Sequence, residues 1–300
     1  MEYVLITTAL NEEAYIGRTI RSVISQTVLP MKWVIVSDGS EDRTDEIIRD
    51  AAREVDFIQF VRHEAKESRL GFSSKVFALR AAALKLSGLE YEYIGILDAD
   101  ISLDAHYYEN MISKMESNVL LGIAGGFIYE KRKDGFECRA FNTDRSVAGG
   151  IQFFRRKCYE QIGGLTPVEF GGEDWIAETT ARMHGWRVEA FPDFRVYHHK
   201  SSGGARGVWR ERVREGKMDH AVGSHPLFEV IKCLRRTSKQ RFSLGGFVRM
   251  ASFLKSYCLR ETKSVPPCVE ATLRREQMQR LRSELIGRLR FFYNRSSHRD

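Results

Sequence analysis

The stretch Tyr93-Ile94-Gly95-Ile96-Leu97-Asp98-Ala99-Asp100 decides the fold, because an apolar run ends there in two carboxylates. Residues Tyr93–Leu97 have the length and composition of a buried strand. Side chains alternate along a strand, so the spacing aims Asp98 and Asp100 the same way, just past the strand's carboxyl end. Two like charges this close repel, so a hard divalent cation or solvent is expected between them. The alternative is a loop with two solvated aspartates.

Short apolar runs alternate with helical periodicity on both sides of this stretch, which is the pattern of βαβ units in a mainly parallel sheet. Before it we predict strand Tyr3–Thr7, helix Glu12–Ser25, strand Trp33–Ser37, helix Asp42–Ala52, strand Phe57–Val61 and a helix from Ser73 or Ser74 to Leu86. After it we predict helix Asp104–Ser117, strand Leu120–Tyr129, a polar loop Lys131–Arg145, strand Gly150–Arg155, helix Glu173–His184, and strands Arg187–Phe191 and Phe194–His198. In open α/β sheets, ligands bind at the rim formed by the carboxyl ends of the strands.

Composition restricts the class of protein. The chain has 300 residues, of which 43% are apolar, so it can bury a substantial core. Its longest apolar run, Val119–Ile128, is far shorter than the roughly 20 residues that span a bilayer, so no transmembrane helix is predicted. The first residues lack the features of a signal peptide, and five cysteines do not indicate a disulfide framework. We therefore expect a cytoplasmic protein.

Positive charge is concentrated in the last third of the chain. Residues 201–300 contain 22 Lys and Arg against 9 Asp and Glu, whereas residues 1–200 are net negative. This part reads as a basic helical extension, 203–300, that ends in an amphipathic segment, Glu270–Phe292. Such a segment either packs on its own domain, which we favour, or lies peripherally on an anionic membrane. Charge alone does not choose among lipid, a polyanionic substrate and nucleic acid.

Polar residues also follow the first two predicted strands. Thr7–Glu13 comes after the first strand, and Ser37-Asp38-Gly39-Ser40 after the second. Asp38 can accept hydrogen bonds from a nucleobase or ribose, and Gly39 lets a ligand approach the backbone. Each motif alone is equally explained by a turn or a helix cap. Together with Asp98 and Asp100 they indicate one nucleotide pocket.

At this point the sequence resembles the inverting family 2 glycosyltransferases, which have the GT-A fold. The matching motifs, in the family's order and spacing, are Thr-Ala-Leu-Asn-Glu-Glu (8–13), Ser-Asp-Gly-Ser (37–40), Leu-Asp-Ala-Asp (97–100), Gly-Gly-Glu-Asp-Trp (171–175) and Arg182 to Gly185. The pairing of Gly-Phe-Ser-Ser-Lys (71–75) with residues 149–156 is similar to a polysaccharide or glycoconjugate branch. The resemblance implies a Rossmann-like, mixed but mainly parallel sheet flanked by helices. It implies a catalytic domain, 1–202, with a nucleotide-binding half to about 103 and an acceptor half from 104.

The resemblance also implies roles for residues of the donor site. The base, ribose and diphosphate would be bound by Thr8, Ala9, Asn11, Glu13, Asp38, Lys75, Asp98 and Ala99. Asp98 would approach both the ribose and the metal, and Asp100 would ligate Mg²⁺ or Mn²⁺ directly. Hard oxygen ligands suit these ions better than zinc. A histidine commonly completes the metal site of this fold, and strand alternation favours His198 over His199. The cations Lys75, Lys200 and Arg206 are candidates for countering the charge of the diphosphate.

An inverting transfer further needs a base that takes the proton of the acceptor hydroxyl. Asp174 is the candidate, and the dipole of the helix that starts there should keep its carboxylate ionised. Glu173 would orient a neighbour or contact the acceptor. Without the resemblance, both carboxylates would be read as ordinary N-terminal helix residues.

We therefore predict a metal-dependent glycosyltransferase that moves one sugar from a nucleotide-diphosphate sugar to a sugar or lipid-linked hydroxyl acceptor. A processive synthase is expected to carry Gln-x-x-Arg-Trp and membrane spans, and a nucleotidyltransferase a glycine-rich basic loop after the first strand; neither pattern is found. The alternative from another class is a noncatalytic nucleotide-binding module whose basic tail docks on a membrane or nucleic acid. For the enzyme, nucleic acid is not an expected partner.

Overall fold

The structure is a computed structural model that describes residues 2–63, 73–200, 207–239 and 244–296. The chain divides into two compact units, residues 1–202 and 203–300. The first unit contains the sheet. The proposed division of the first unit into a nucleotide-binding half and an acceptor half stays a prediction.

Nine strands of the described residues form one sheet in the first unit. They are β1 (Tyr3–Ala9), β2 (Lys32–Ser37), β3 (Ile58–Arg62), β4 (Tyr93–Ile96), β5 (Ile101–Leu103), β6 (Leu121–Arg132), β7 (Gly135–Cys138), β8 (Phe153–Arg155) and β9 (Arg187–His198). The strand order is β3-β2-β1-β4-β8-β6-β9-β5, with β7 paired to β6. Strands β1 to β4 pair in parallel, β8 is antiparallel to both of its neighbours, and β6 is parallel to β9.

Six helices of the described residues accompany this sheet, and four make up the second unit. The first six are α1 (Ile16–Ile24), α2 (Thr44–Glu54), α3 (Ser73–Leu84), α4 (Tyr107–Ser117), α5 (Arg156–Gln161) and α6 (Glu173–Met183). The other four are α7 (Val208–Ala221), α8 (Pro226–Lys239), α9 (Gly245–Cys258) and α10 (Pro267–Ser296). No helix in the described part of the chain is long and apolar enough to cross a membrane.

The central strands are continuously apolar because parallel strands are covered on both faces. Val4 to Ile6 and Trp33 to Val36 are fully buried. The indole of Trp33 donates a hydrogen bond of 3.0 Å to the hydroxyl of Thr7, which satisfies both polar groups in the core. This rigid centre fixes the positions at which β1, β2 and β4 end.

The structure departs from the predicted elements at three short segments and one long strand. Strands β5 and β7 and helix α5 were not predicted, and β7 lies inside the predicted polar loop. The two strands predicted at 187–191 and 194–198 form one strand, β9. The pairing of β6 with β9 shifts between Gly126 and Phe127, where a Cβ on Gly126 would lie 2.1 Å from the carbonyl oxygen of Phe194. Pro192 therefore sits in an irregularity within one strand, not in a break between two.

A buried ion cluster joins three helices of the second unit. Arg249 on α9 donates bonds of 2.7 and 2.8 Å to the two carboxylate oxygens of Asp219 on α7. Lys232 on α8 donates to Asp219 at 2.9 Å, and Arg249 also lies 2.9 Å from Glu215. Asp219 is fully buried, so these bonds compensate for the loss of water. They hold α7, α8 and α9 together.

The first turns of α10 pack within the second unit. Gln277 accepts a bond of 2.7 Å from the backbone N–H of His225 and donates one of 3.1 Å to Ser224. Arg274 donates to the carbonyl oxygen of Gly223 at 3.0 Å. Farther along the helix, however, Leu285 is 60% exposed and Ile286 is 52% exposed. The amphipathic helix is thus anchored at its beginning and leaves apolar side chains open later.

Candidate active site

The carboxyl ends of β1, β2 and β4 lie side by side at one rim of the sheet. The backbone N–H of Asp38 donates to the carbonyl oxygen of Ala9 at 2.9 Å, and that of Leu97 donates to Ile6 at 3.0 Å. Parallel register across β1 produces this alignment, since Ile6 pairs with both Val34 and Ile96. The polar motifs that follow these strands therefore meet at one edge.

Both carboxylate oxygens of Asp38 are engaged at this rim. The Nδ1 atom of His63 lies 3.0 Å from Oδ1, and the hydroxyl of Ser74 donates to Oδ2. Asp38 is 9% exposed, so the two neighbours fix its orientation. Ser74, considered above as a helix cap, thus uses its hydroxyl on Asp38. His63 was missed, although it directly follows the third strand at the same rim.

The two glutamates of the loop after β1 have different surroundings. Glu13 is exposed and accepts a bond of 3.0 Å from the backbone N–H of Arg43, at the start of α2. Glu12 instead is ion-paired with Lys200. Burial raises the pKa of Glu12, and the charges of Asp100 and Asp98 raise it further against the opposing effect of Lys200. The acidic group that this loop adds to the aspartates is therefore Glu12 rather than Glu13.

The backbone of Asn11 explains this arrangement. Asn11 adopts a left-handed conformation with φ of 54°, and its side chain accepts a bond of 2.8 Å from the backbone N–H of Glu41. Asparagine tolerates this conformation better than most residues. The side chain of Asn11 thus stabilises the loop after β2. Of the other predicted residues here, Thr8 is half-buried and Ala9 is buried.

The two aspartates have separate partners. Strand β4 ends at Ile96, so Asp98 and Asp100 lie in the turn to β5 and strand alternation no longer applies. Asp98 accepts a bond of 2.6 Å from Lys75, whereas Asp100 lies 3.1 Å from Nε2 of His198. Ala99 between them is buried, and its carbonyl oxygen accepts a bond of 2.8 Å from Thr19. The turn is thereby anchored to α1.

The two adjacent histidines contact different residues. Residue Ile101 of β5 pairs with His198, which places that ring beside Asp100. His199 instead lies 2.7 Å from the hydroxyl of Ser102. Burial favours the neutral forms of Asp100 and His198. The hydrogen bond and the charge attraction between them outweigh burial, so the pKa of Asp100 is lowered and that of His198 is raised. Asp100 is therefore an ionised ligand candidate.

The donor chemistry of this turn fits a hard divalent cation. Within the described residues, no three His, Cys, Asp or Glu side chains converge closely enough to enclose a metal ion. Mg²⁺ and ions like it usually take one or two carboxylates and complete their shell with phosphate oxygens and water. Asp100 and His198 can supply such a partial set, with Asp98 two residues away. The Nδ1 atom of His198 is buried and has no hydrogen-bond partner among the residues that the structure describes.

Asp174 lies at the start of α6, after two glycines with left-handed backbones, Gly171 (φ 89°) and Gly172 (φ 99°). Its carboxylate accepts bonds from the backbone N–H of Gly149 at 3.2 Å and of Trp175 at 2.9 Å. Burial and the neighbouring charge of Glu173 raise the pKa of Asp174 to about 6. Burial and Glu173 thus oppose the effect expected from the helix dipole, and the carboxylate is still mostly ionised at neutral pH. Its two proton states are close in free energy near neutral pH.

Two consecutive glycines, Gly149 and Gly150, contact Asp174 and Asp98. A Cβ on Gly149 would lie 3.3 Å from Oδ2 of Asp174, and one on Gly150 would lie 2.3 Å from Oδ2 of Asp98. Neighbouring Cα atoms are about 3.8 Å apart. The two carboxylates therefore flank a single dipeptide. No larger residue than glycine fits against Asp98 without displacing it.

Lys75 is a cation that interacts both with Asp98 and with the pair Glu173 and Asp174. It is paired with Asp98, and the charges of Asp98, Glu173 and Asp174 raise the pKa of its ammonium group above the ordinary value although burial lowers it. Glu173 itself is buried, at 9% exposure. Residues predicted from three separate motifs thus form one site. Arg206, and the residues Gly71 and Phe72 of the motif that contains Lys75, lie outside the described residues.

One further buried carboxylate, Glu178, was missed by sequence reasoning. It lies one turn after Asp174 on α6 and is 2% exposed. The available signal was its spacing of four residues from Asp174, which places both on one face of a helix. Glutamate in a helix is usually solvated, so this spacing alone carried no weight.

Comparison with known proteins identifies the family. The sequence profile of Glycosyl transferase family 2 matches residues 4–171. The chain belongs to glycosyl transferase family 2. This family 2 chain is similar to the poly-beta-1,6-N-acetyl-D-glucosamine synthase of Staphylococcus epidermidis, with 26% identity over 274 residues that cover 82% of this chain and 60% of that protein. The synthase of Staphylococcus aureus is 24% identical, over 75% of this chain and 56% of that protein. The family 2 chain thus spans about 60% of the length of these relatives.

Solved structures agree with the fold. TarS residues 1–349 of S. aureus, in complex with UDP-GlcNAc, gives a TM-score of 0.54 at 14% identity, over 91% of this chain and 84% of that one. The mannosyltransferase PcManGT of Pyrobaculum calidifontis, in complex with GDP-Man and Mn²⁺, gives 0.55 at 17% identity, over 91% and 78%. At these identities the likeness concerns the fold alone. The predicted GT-A class of the family 2 chain is confirmed.

Proposed function

We propose that this chain is a metal-dependent, inverting glycosyltransferase that moves one sugar from a nucleotide-diphosphate sugar to a hydroxyl acceptor. The observation that carries the proposal is the contact of one dipeptide, Gly149-Gly150, with both Asp98 and Asp174. A candidate donor-side carboxylate and a candidate acceptor-side carboxylate then contact adjacent residues of one segment. A direct displacement needs donor and acceptor groups held close together, and this shared contact supports such an arrangement.

On the donor side, Asp38 is the candidate for reading the base, and its clamping by His63 and Ser74 supports that role. Asp100 and His198 would hold Mg²⁺ or Mn²⁺, with Asp98 close to the ribose. A cation bound there supplies positive charge to the departing diphosphate. Lys75 contributes charge on the same side and keeps Asp98 in place.

On the acceptor side, Asp174 is the candidate base. Its carboxylate would take the proton of the acceptor hydroxyl while that oxygen attacks the anomeric carbon from the face opposite the diphosphate. Inversion follows because attack and departure occur on opposite faces. A pKa of about 6 suits this task, since the group is mostly ionised at neutral pH and still basic enough to accept a proton. Glu173 raises that pKa and lies next to the acceptor space.

The relatives support polysaccharide or glycoconjugate synthesis as the process. Two of them are named poly-beta-1,6-N-acetyl-D-glucosamine synthases, and TarS was solved with UDP-GlcNAc. PcManGT was solved with GDP-Man and Mn²⁺. We therefore propose a nucleotide sugar and Mn²⁺ as the first substrates to test. The noncatalytic alternative is not favoured, because the carboxylates of both sides are present and assembled.

We also propose that the second unit contacts anionic membrane peripherally through α10. The basic composition of residues 201–300 complements anionic lipid. The exposed side chains Leu285 and Ile286 supply apolar surface on the same helix. Such contact would place the transferase beside a lipid-linked acceptor.

The central experiment compares three variants of the full chain in donor binding and in sugar transfer. Asp174→Asn should bind UDP and Mn²⁺ normally but lose transfer by about 10²- to 10⁴-fold, because the amide cannot accept the proton. Asp100→Ala should lose Mn²⁺-dependent UDP binding. Asp56→Asn is the control, since this aspartate is exposed between α2 and β3. Wild-type transfer by Asp174→Asn would exclude it as base, and Mn²⁺-dependent binding by Asp100→Ala would exclude it as ligand.

A further inference from the structure

Glu178 is a buried carboxylate that the proposed mechanism does not use. Its Oε1 accepts bonds of 2.6 Å from the backbone N–H of Val147 and 3.2 Å from the hydroxyl of Ser146. Its Oε2 lies 3.6 Å from the guanidinium group of Arg182 on the same helix. Burying a carboxylate without strong compensation is costly, so this position needs a specific reason. Both hydrogen bonds are directed to one segment, residues 146–150.

This segment is the one that contacts the carboxylates of the site. Two residues after Val147, the backbone N–H of Gly149 donates to Asp174, and the carbonyl oxygen of Gly150 accepts a bond of 2.9 Å from the backbone N–H of Asp98. Gln152 supports the same segment by donating to the carbonyl oxygens of Val147 at 3.4 Å and Asp174 at 3.5 Å. The position of Gly149 therefore depends on how Val147 is held.

Glu178 holds Val147 more firmly than the other polar groups do. Its bond to the N–H of Val147 is the shortest of these contacts, at 2.6 Å, whereas the bond from Gly149 to Asp174 is 3.2 Å. Asp174 and Glu178 are one helical turn apart, so α6 sets the spacing of both attachment points. Helix and segment thus form one rigid frame.

We propose that Glu178 is a positioning residue for sugar transfer: it fixes the segment 146–149, whose Gly149 N–H orients the carboxylate of Asp174. The proposal rests on the proposed role of Asp174 as base. Glu178 is buried, so it acts through this segment. Burial, with the charge of Asp174, raises the pKa of Glu178 to about 8 against the opposing effects of Arg182, Val147 and Ser146. A neutral amide of the same shape can therefore replace it.

Loss of the attachment should change the titration of Asp174. The groups that face Asp174 are Glu173 and Glu178 on α6, Lys75 on α3, and the N–H groups of Gly149 and Trp175. The Gly149 bond lowers the pKa of Asp174, so weakening it should raise that pKa. The acidic limb of kcat should then move to higher pH, while donor binding by Asp38, Asp98 and Asp100 is unaffected.

The test measures kcat, the KM for donor and the pH dependence of kcat for four variants of the full chain. Glu178→Ala should lower kcat by about 10²-fold with an unchanged donor KM, and should shift the acidic limb upward. Glu178→Gln keeps an acceptor for Val147 and should restore kcat to within about threefold of wild type. Ser146→Ala removes the weaker bond alone and should have an intermediate effect. Thr180→Ala is the control, since Thr180 bonds within the helix to Ile176.

The outcomes separate this proposal from the one on which it rests. A Glu178→Ala variant with wild-type kcat and pH dependence would overturn the positioning role, as would a Glu178→Gln variant as slow as Glu178→Ala. If Glu178→Ala does not fold, Ser146→Ala and Glu178→Gln still test the proposal. An acidic limb of kcat that does not shift in Ser146→Ala, together with a low kcat in Glu178→Gln, would exclude the positioning role of Glu178. Wild-type transfer by Asp174→Asn would instead overturn Asp174 as base. Loss of transfer in Asp174→Asn with normal Glu178→Ala would leave the proposed function intact.

Discussion

The carboxyl of Asp174 sets the pH range in which the proposed reaction can run. Its pKa of about 6 is raised by burial and by Glu173, and a base must be deprotonated to act. Transfer should therefore rise with pH through about 6 and level off above about 7. Replacing Glu173 by Gln removes a negative charge next to Asp174 and so lowers the pKa of Asp174. The acidic limb of the pH profile of kcat should then move to lower pH. The measurement is kcat against pH, and a flat profile from about pH 5 to 8 would contradict the role of Asp174.

Gly150 offers a second prediction at the scale of one residue. An alanine Cβ at this position would lie 2.3 Å from Oδ2 of Asp98, a distance that forces the carboxylate or the segment to move. Gly150→Ala should therefore weaken Mn²⁺-dependent UDP binding by at least about tenfold. The control is Gly17→Ala on α1, where the nearest atom lies 3.6 Å away and alanine favours the helix. Calorimetric titration compares the two, and equal affinities would show that Asp98 tolerates the displacement.

Individual site residues could be named from sequence where a motif fixes them and not where a loop does. Asp38, Asp98, Asp100 and Asp174 follow strand ends or begin a helix, so their place at the rim could be predicted. The role of Glu13 stays a prediction, and the ion pair of Glu12 with Lys200 was not foreseen because it lies in a loop where Asn11 has a left-handed backbone. No periodic pattern encodes that turn.

The ion cluster of the second unit gives a prediction at the scale of helices. Replacing Arg249 by Met removes two hydrogen bonds from Asp219, which stays fully buried, and one ion pair from Glu215. Breaking a buried pair from one side costs about 3–5 kcal/mol. The free energy of unfolding from urea denaturation should fall by that amount. Arg210→Met is the control, since this arginine is exposed on α7 and should change stability by less than about 0.5 kcal/mol. Equal losses would refute a specific role of the cluster.

The strands and helices show which elements of the fold can be predicted from sequence patterns. Strands β1, β2 and β4 and helices α1, α2 and α6 were predicted within a few residues, because burial imposes a period on them. Strand β7 was not, because most of its side chains are exposed and its pairing with β6 depends on backbone bonds across a turn at Gly135. The continuity of β9 was also missed, since Pro192 signals a break that the irregular pairing absorbs.

For the whole molecule, the rule that ligands bind at the carboxyl ends of strands brought together the motifs after β1, β2 and β4, whereas Lys75, Asp174 and His198 were named from the family resemblance. The rule could not supply the pairing that joins donor and acceptor sides. That pairing comes from β8, which is antiparallel to β4 and carries the preceding segment 149–152 back to Asp98. An antiparallel strand in this position is a property of long-range packing, which no local pattern encodes.

Membrane contact is the prediction that concerns the chain as a whole. If α10 docks on anionic lipid, the full chain should sediment with phosphatidylglycerol vesicles but not with phosphatidylcholine vesicles. Binding to the anionic vesicles should weaken as the salt concentration rises. Leu285→Glu with Ile286→Glu removes apolar contact and adds charge, so binding should fall by at least about tenfold. Ser283→Glu is the control, because it adds charge at an exposed position of the same helix and removes no apolar side chain.

The two substitutions distinguish docking of an apolar helix from simple attraction of a basic surface. A large loss in the double variant and a small one in Ser283→Glu would show that Leu285 and Ile286 enter the lipid. Similar small losses of vesicle binding in the double variant and in Ser283→Glu would show that the contact is only electrostatic. The introduced glutamates would then act only by lowering the net charge of the second unit. Sedimentation equal to wild type in the double variant would exclude α10 as the membrane contact. Because Arg274 and Gln277 anchor the earlier turns, point substitutions test the exposed part without removing the packed part, which a deletion from residue 270 would destroy.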